Sequence, residues 1–259
     1  VASCSHDTGA AVAAIPAARG DDWAYLSCGT WSLMGVELPG PCINAEVLEA
    51  NFTNEVGYGG TIRFLKNITG LWLVQESRRA WEAEGKKFDF KTLEAMAAAA
   101  TPFQGFVRTD DRRFGSPGGM PGKIRDYLRE TGQSAPGDEG SIIRVALESL
   151  ALTYREVLDR IEALTGRRIA RLHMVGGGTR DRLLCQLTAD AIGRPVLAGP
   201  VEATAAGNAL VQAIADGDLK DLPALRAVVR ASFEITEYRP SGGEGWDEAR
   251  ARFAKLEAR

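Results

Sequence analysis

Histidine and cysteine are scarce in this 259-residue chain, which holds two of the first and four of the second. The cysteines, Cys4, Cys28, Cys42 and Cys185, form no C-x-x-C pair, so no zinc-binding spacing is present. They are also too few to staple a chain of this length, and read as buried or idle thiols in a reducing cytosol. No apolar run approaches the length a bilayer requires, which excludes a membrane-spanning helix. The stretch from Ala10 to Ala18 is apolar but has Asp7 ahead of it and no basic flank, so it does not read as a secretory leader. Neither charge sign dominates: the formal net charge is −3, which gives no electrostatic reason to expect nucleic acid or an anionic membrane as partner. The chain starts with Val1 rather than Met, and reads as processed or as part of something longer.

The common nucleotide and hydrolase signatures are missing too. Gly122-Lys123 is followed by Ile124 where a phosphate-binding Walker loop needs Ser or Thr, and Pro117 stands at its first glycine position. A dinucleotide fingerprint begun at Gly176 would need glycine at position 181, where Asp181 stands. There is no G-x-S-x-G elbow, and His6 and Asp7 are chain neighbours, so a Ser-His-Asp hydrolase cannot be assembled from them.

What is present has α/β character. The first five residues read as a strand running into His6-Asp7-Thr8, and Gly9 to Ile15 as a short helix stopped by Pro16, followed by a loop from Ala17 to Asp22. Trp23 to Ser27 and Trp31 to Glu37 are two β-type runs joined by Cys28-Gly29-Thr30, which predicts a hairpin. Ile68 to Glu84 and Phe90 to Ala100 predict helices, and the Gly- and Pro-rich stretch from Arg112 to Pro121 predicts a loop before a helix from Lys123 to Glu130. Ile143, Leu147, Leu150, Tyr154, Leu158, Ile161 and Leu164 recur at helical steps in one long helix closed by Gly166. Strand and helix then alternate: Ile169 to Val175, Arg180 to Ile192, Pro195 to Ala198, Ala203 to Ala215. That alternation argues for a layered α/β fold with a mostly parallel sheet. Leu222 to Val229, a strand near Ser232 to Tyr238 and a helix from Trp246 follow.

Two places could carry chemistry. Gly176-Gly177-Gly178 follows a strand and precedes a helix, where a backbone without Cβ can approach a flat or anionic ligand, although a plain tight turn uses the same residues. Asp7 sits where a strand gives way to a helix, at the strand end where α/β sheets collect ligands. A carboxylate there could take a proton from a hydroxyl; on spacing alone, the reading as a helix N-cap is favoured. Gly29-Thr30 offers a hydroxyl and turn amides to a phosphate, or is an ordinary hairpin turn.

Several stretches match one family in order along nearly the whole chain. They are His6-Asp7-Thr8, Trp23 to Glu37 around Cys28-Gly29-Thr30-Trp31, Asn51 to Glu55, Arg63 to Trp72, Leu172 to Gly178, and Ala198 to Ala209. Together they resemble the rhamnulokinase branch of the FGGY carbohydrate kinase family. The resemblance implies an actin-like, ribonuclease H-like ATPase domain, a central mixed sheet flanked by helices. Residues 1–259 would form the C-terminal, ATP-binding domain, with the N-terminal sugar kinase domain absent. It implies Asp7 as general base, His6, Thr8 and Asn67 at the sugar, Thr30 and Gln75 at the nucleotide, and Gly177 at the adenosine. It implies ATP with Mg²⁺, no protein residue being assigned to the metal. L-rhamnulose is the expected sugar, with L-fuculose or a pentulose as alternatives, and a non-catalytic actin-like nucleotide-binding domain as a reading of another class. The isolated chain is expected to be inactive, cytoplasmic and open to homo-oligomer formation through its bared cleft. Asp181 and Cys185 depart from the family's asparagines after the glycine run, and Gly119 from an aspartate in the Pro-Gly-x-Met-Pro loop.

Overall fold

In a computed structural model of the chain, residues 6–18 and 22–256 are described. The strand expected over the first five residues, Cys4 and part of the expected 17–22 loop lie outside them. Helix α1 covers Asp7–Ala13, and β1 (Trp23–Cys28) and β2 (Trp31–Leu38) form the predicted hairpin. A short α2 (Ala45–Glu49) leads to β3 (Thr53–Val56) and β4 (Ile62–Thr69), and then to α3 (Trp72–Ala83) and α4 (Phe90–Ala99). Helices α5 (Met120–Glu130) and α6 (Glu139–Thr165) follow. The chain ends in β5 (Arg171–Val175), α7 (Arg182–Ile192), β6 (Val196–Ala198), α8 (Ala203–Ala215), α9 (Leu222–Ser232), β7 (Thr236–Tyr238) and α10 (Trp246–Phe253).

All seven strands join one sheet in the order β3-β4-β2-β1-β5-β6-β7. The sheet is mixed: β1, β5 and β6 run parallel in its centre, and the other pairs are antiparallel. Successive side chains of a strand leave on opposite faces, and both faces are apolar. Ala24, Leu26, Met34, Phe64 and Met174 point to the side covered by α3, α4, α6 and α7. Trp23, Tyr25, Leu65 and Val175 point to the side covered by α1, α8 and α9. The three-layer arrangement leaves the carboxyl ends of β1, β5 and β6 on a common edge.

The central helix α6 has 27 residues, about 40 Å of length at the helical rise. Asp138 caps it by accepting from the Ser141 amide at 2.8 Å, and Gly166 ends it in the left-handed conformation at φ 67°.

Some boundaries differ from the sequence expectation, each for a physical reason. The helix expected over Ile68 to Glu84 begins only at Trp72, because residues 62–69 are a strand. Gly70 breaks the two apart: a Cβ there would lie 2.6 Å from Ser32 Oγ and 2.9 Å from Gly29 O, so the chain turns against the hairpin with no room for a side chain. The loop expected to reach Pro121 ends sooner, because Pro121 sits in the first turn of α5, where its missing N–H costs nothing. The helix expected from Arg180 divides into a 3₁₀ turn over Gly177–Arg180 and α7. Asp181 between them caps α7, accepting from the Leu184 amide at 2.8 Å.

Candidate active site

A cavity of about 540 Å³ opens at the carboxyl ends of β1 and β5. Its walls include Asp7, Thr8, Gly29, Asn67, Gly177 and Glu202. Residues from α1, the β1–β2 turn, β4 and the glycine loop, up to 170 positions apart, thus meet where α/β sheets hold ligands.

Asp7 is the first residue of α1, and the cap position belongs to His6. The cap reading of Asp7 is therefore not what the fold shows. Asp7 Oδ1 accepts from the Thr8 amide at 2.7 Å and lies 2.8 Å from His6 Nδ1. Oδ2 has no hydrogen bond among the described residues, and the side chain is 71% exposed toward the cavity. One carboxylate oxygen is thus held and the other is available.

Thr8 is anchored from across the sheet. Its Oγ1 accepts from Arg63 Nη1 at 3.0 Å and stands 2.6 Å from His6 Nδ1. Arg63 is 1% exposed and pairs with Glu55 at 2.8 Å. A buried guanidinium on β4 therefore fixes the hydroxyl beside Asp7. Arg63 opens a family-matching stretch but had no role there, because a lone arginine in an apolar run carries no signal until the fold brings residue 8 to it.

The glycine loop forms the opposite wall. Gly176 has φ 90°, and a Cβ on it would meet Cys28 O at 2.9 Å; a Cβ on Gly178 would meet Cys28 Sγ at 2.3 Å. Both glycines are needed to seat the loop on β1. Gly177 differs: a Cβ there would meet nothing within 4 Å, because it faces the cavity. Burial pushes the Cys28 thiol up to about 11, so it stays neutral under the loop. Glu202 precedes α8 without a side-chain cap, so the first amides of this 13-residue helix meet the cavity edge unclaimed by a side chain.

Thr30 and Gln75 are brought together but stand outside the cavity lining. Thr30 Oγ1 donates to Gln75 Oε1 at 3.1 Å, and the start of α3 docks on the turn through Leu71 N to Gly29 O at 3.0 Å. A second cavity, of about 310 Å³, lies on the other face around Lys66, Arg108 and Arg160. Glu156 and Asp110 pair with its Arg108.

A model of the FGGY family of carbohydrate kinases, C-terminal domain, matches residues 24–215. The chain belongs to the FGGY family of carbohydrate kinases. It is 46% identical over 253 residues to a rhamnulokinase of Bacteroides thetaiotaomicron, covering 98% of this chain and 51% of that protein. It is 44% identical over 236 residues to a rhamnulokinase of Bacillus subtilis, covering 91% and 48%. The chain thus spans about half the length of the curated relatives it matches. Among solved structures it resembles the xylulose kinase of Rhodospirillum rubrum, with TM-score 0.66 at 20% identity over 96% of this chain and 49% of that one. It also resembles the glycerol kinase of Plasmodium falciparum with ADP, with TM-score 0.65 at 15% identity, over 96% and 48%. The expected actin-like ATPase fold is the fold observed.

Within this FGGY domain one residue after the glycine loop is costly. Burial pushes the Asp181 carboxyl from its ordinary 3.8 up to about 6, against the pull of the Leu184 amide. Between those values the folded protein keeps a proton that the unfolded chain has lost, so stability falls as pH rises through that window. Above it the ionised carboxylate remains a standing penalty. Asp181→Asn keeps the cap and removes the charge. It is expected to raise stability near pH 7 by about 2 kcal/mol and to flatten the slope between about pH 4 and 6. Urea melts at both ends of the window read this, and a variant less stable at each end would sink the idea.

Proposed function

We propose that this chain is the ATP-binding, base-bearing half of a carbohydrate kinase that phosphorylates a ketose, L-rhamnulose foremost. The observation that carries the reading is that the free carboxylate oxygen of Asp7 and the bare backbone of Gly177 face one cavity. The rhamnulokinase relatives support the choice of sugar. A cytoplasmic setting goes with a substrate of ATP; among the described residues no helix is long and apolar enough to cross a membrane.

In this reading Asp7 Oδ2 accepts the proton of the attacking sugar hydroxyl while its oxygen bonds to the γ-phosphorus. The bond to the β-phosphate oxygen breaks, and ADP leaves with that electron pair. His6 and Thr8 hold the carboxylate and the sugar, and Asn67 faces the substrate from β4. Gly177 gives the adenosine a wall without side chains, and Thr30 and Gln75 would reach the nucleotide after exchanging their mutual hydrogen bond. The size of the cavity, about 540 Å³, and its glycine-lined wall support ATP as the ligand. Mg²⁺ would supply charge neutralisation on the phosphates. We assign it no protein ligand.

The test is a calorimetric titration of Mg-ATP into this chain and its Gly177→Val variant. A Cβ at this position meets no protein atom within 4 Å, so the first atom of the added side chain enters the cavity without displacing the loop. Affinity is expected to fall by about 30-fold, the ~2 kcal/mol cost of overfilling a fitted space. Equal affinity in both would move the adenosine elsewhere; no binding even by the full-length protein would end the kinase reading. The chain alone is expected to phosphorylate no sugar, because an N-terminal half would supply the other cleft wall and its share of transition-state binding.

A further inference from the structure

The cavity that holds Asp7 has apolar side chains among its polar ones, Leu33 and Val201 with Trp31, and Trp31 is the largest side chain among its described lining residues. It is the first residue of β2, directly after the Gly29-Thr30 turn, and 51% of its surface is exposed. Strand alternation turns Ser32 and Met34 into the α6 side, where both are fully buried. Trp31 and Leu33 take the opposite face, and Leu33 lies in register with Asn67 of β4, which lines the same cavity. An apolar strip of indole and leucine therefore lies beside the Asn67 amide, in the same hollow as the catalytic carboxylate.

A half-exposed indole in a hollow is a surface waiting for an apolar face. The reaction demands that one end of the sugar, its hydroxyl, lie at Asp7. The other end of a 6-deoxy ketose is a methyl group, which a wall of hydroxyls, amides and carboxylates would leave uncompensated. We propose that Trp31, backed by Leu33, is a specificity-determining residue: its exposed indole face receives the methyl end of the sugar and selects deoxy ketoses over their hydroxylated counterparts. This rests on the function proposed above and adds to it the residue that chooses the sugar.

The experiment compares L-rhamnulose with L-fructose, which carries a hydroxymethyl in place of that methyl, in the full-length protein. Trp31→Ala is expected to narrow the kcat/KM ratio between the two sugars by about tenfold, the worth of one small group in an apolar site. The change should appear as a higher KM for L-rhamnulose, with the KM for ATP unchanged. Trp31→Phe should keep most of the preference, and its conserved aromatic packing guards against a misfolded alanine variant. An unchanged sugar ratio overturns the proposal. So does a rise in the KM for ATP with both sugars losing equally, since the indole would then serve the nucleotide or the N-terminal half. Wild-type protein that phosphorylates neither sugar would overturn the kinase reading itself, before any variant is made.

Discussion

Asp7→Asn in the full-length protein is expected to lower kcat by about a thousandfold or more while leaving the affinity for Mg-ATP unchanged. Asparagine is nearly isosteric and keeps an oxygen to accept from the Thr8 amide, but its amide cannot take up a proton. A general base that is only removed, with its neighbours in place, costs turnover and little else. The alternative that spacing alone favours, a helix cap, makes the opposite forecast: activity survives and stability falls by about 1 kcal/mol. The geometry speaks against the cap, because His6 occupies the cap position and Asp7 is 71% exposed. The melting temperature of Asp7→Asn should therefore match that of wild type. Single-turnover assays beside a thermal melt decide it, and a variant that turns over normally would remove Asp7 from the chemistry.

How much of this was legible in the sequence depends on how each residue is used. The long helix α6 was readable because its core positions recur at helical steps; the six of them from Ile143 to Ile161 are all buried. The β1–β2 hairpin was readable because a glycine turn separates two β-rich runs. Strand β4 was not, because it is covered on both faces. Arg63, Phe64 and Leu65 are all buried in sequence, so no alternation marks a strand, and Lys66 adds a second charge. Of the site, His6-Asp7-Thr8 and Gly177 were visible through family resemblance, and the fold brings them to one cavity. Arg63 and Trp31 lay inside matching stretches without a role. What assigns them one is the partner across space, Thr8 for the first and the open cavity for the second.

The position of Asp7 depends on a contact farther along its own helix. Gly207 of α8 faces α1 so closely that a Cβ on it would lie 1.9 Å from Ala10 O and 2.6 Å from Ala10 C. Those are backbone atoms, with no flexible side chain to swing aside. Ala10 is one turn past Asp7, so relieving the clash means moving the helix that carries Asp7. Gly207→Ala is thus a conflict between two magnitudes. Helix α8 would gain about 1 kcal/mol from the better intrinsic propensity of alanine. Overpacking a backbone-to-backbone crossing costs about 3 kcal/mol or more, and it should win. The net loss of about 2 kcal/mol corresponds to a melting temperature lower by roughly 4–8 °C in a protein of this size. In the fraction that stays folded, a shift of about 1 Å at Asp7 is expected to cost up to a hundredfold in kcat, well beyond any loss in ATP affinity. The proposed nucleotide wall at Gly177 follows β5 rather than α1, so the two effects separate. A Gly207→Ala variant with wild-type melting and turnover would mean that α1 and α8 can part without cost, and that the base is positioned by Arg63 and Thr8 alone.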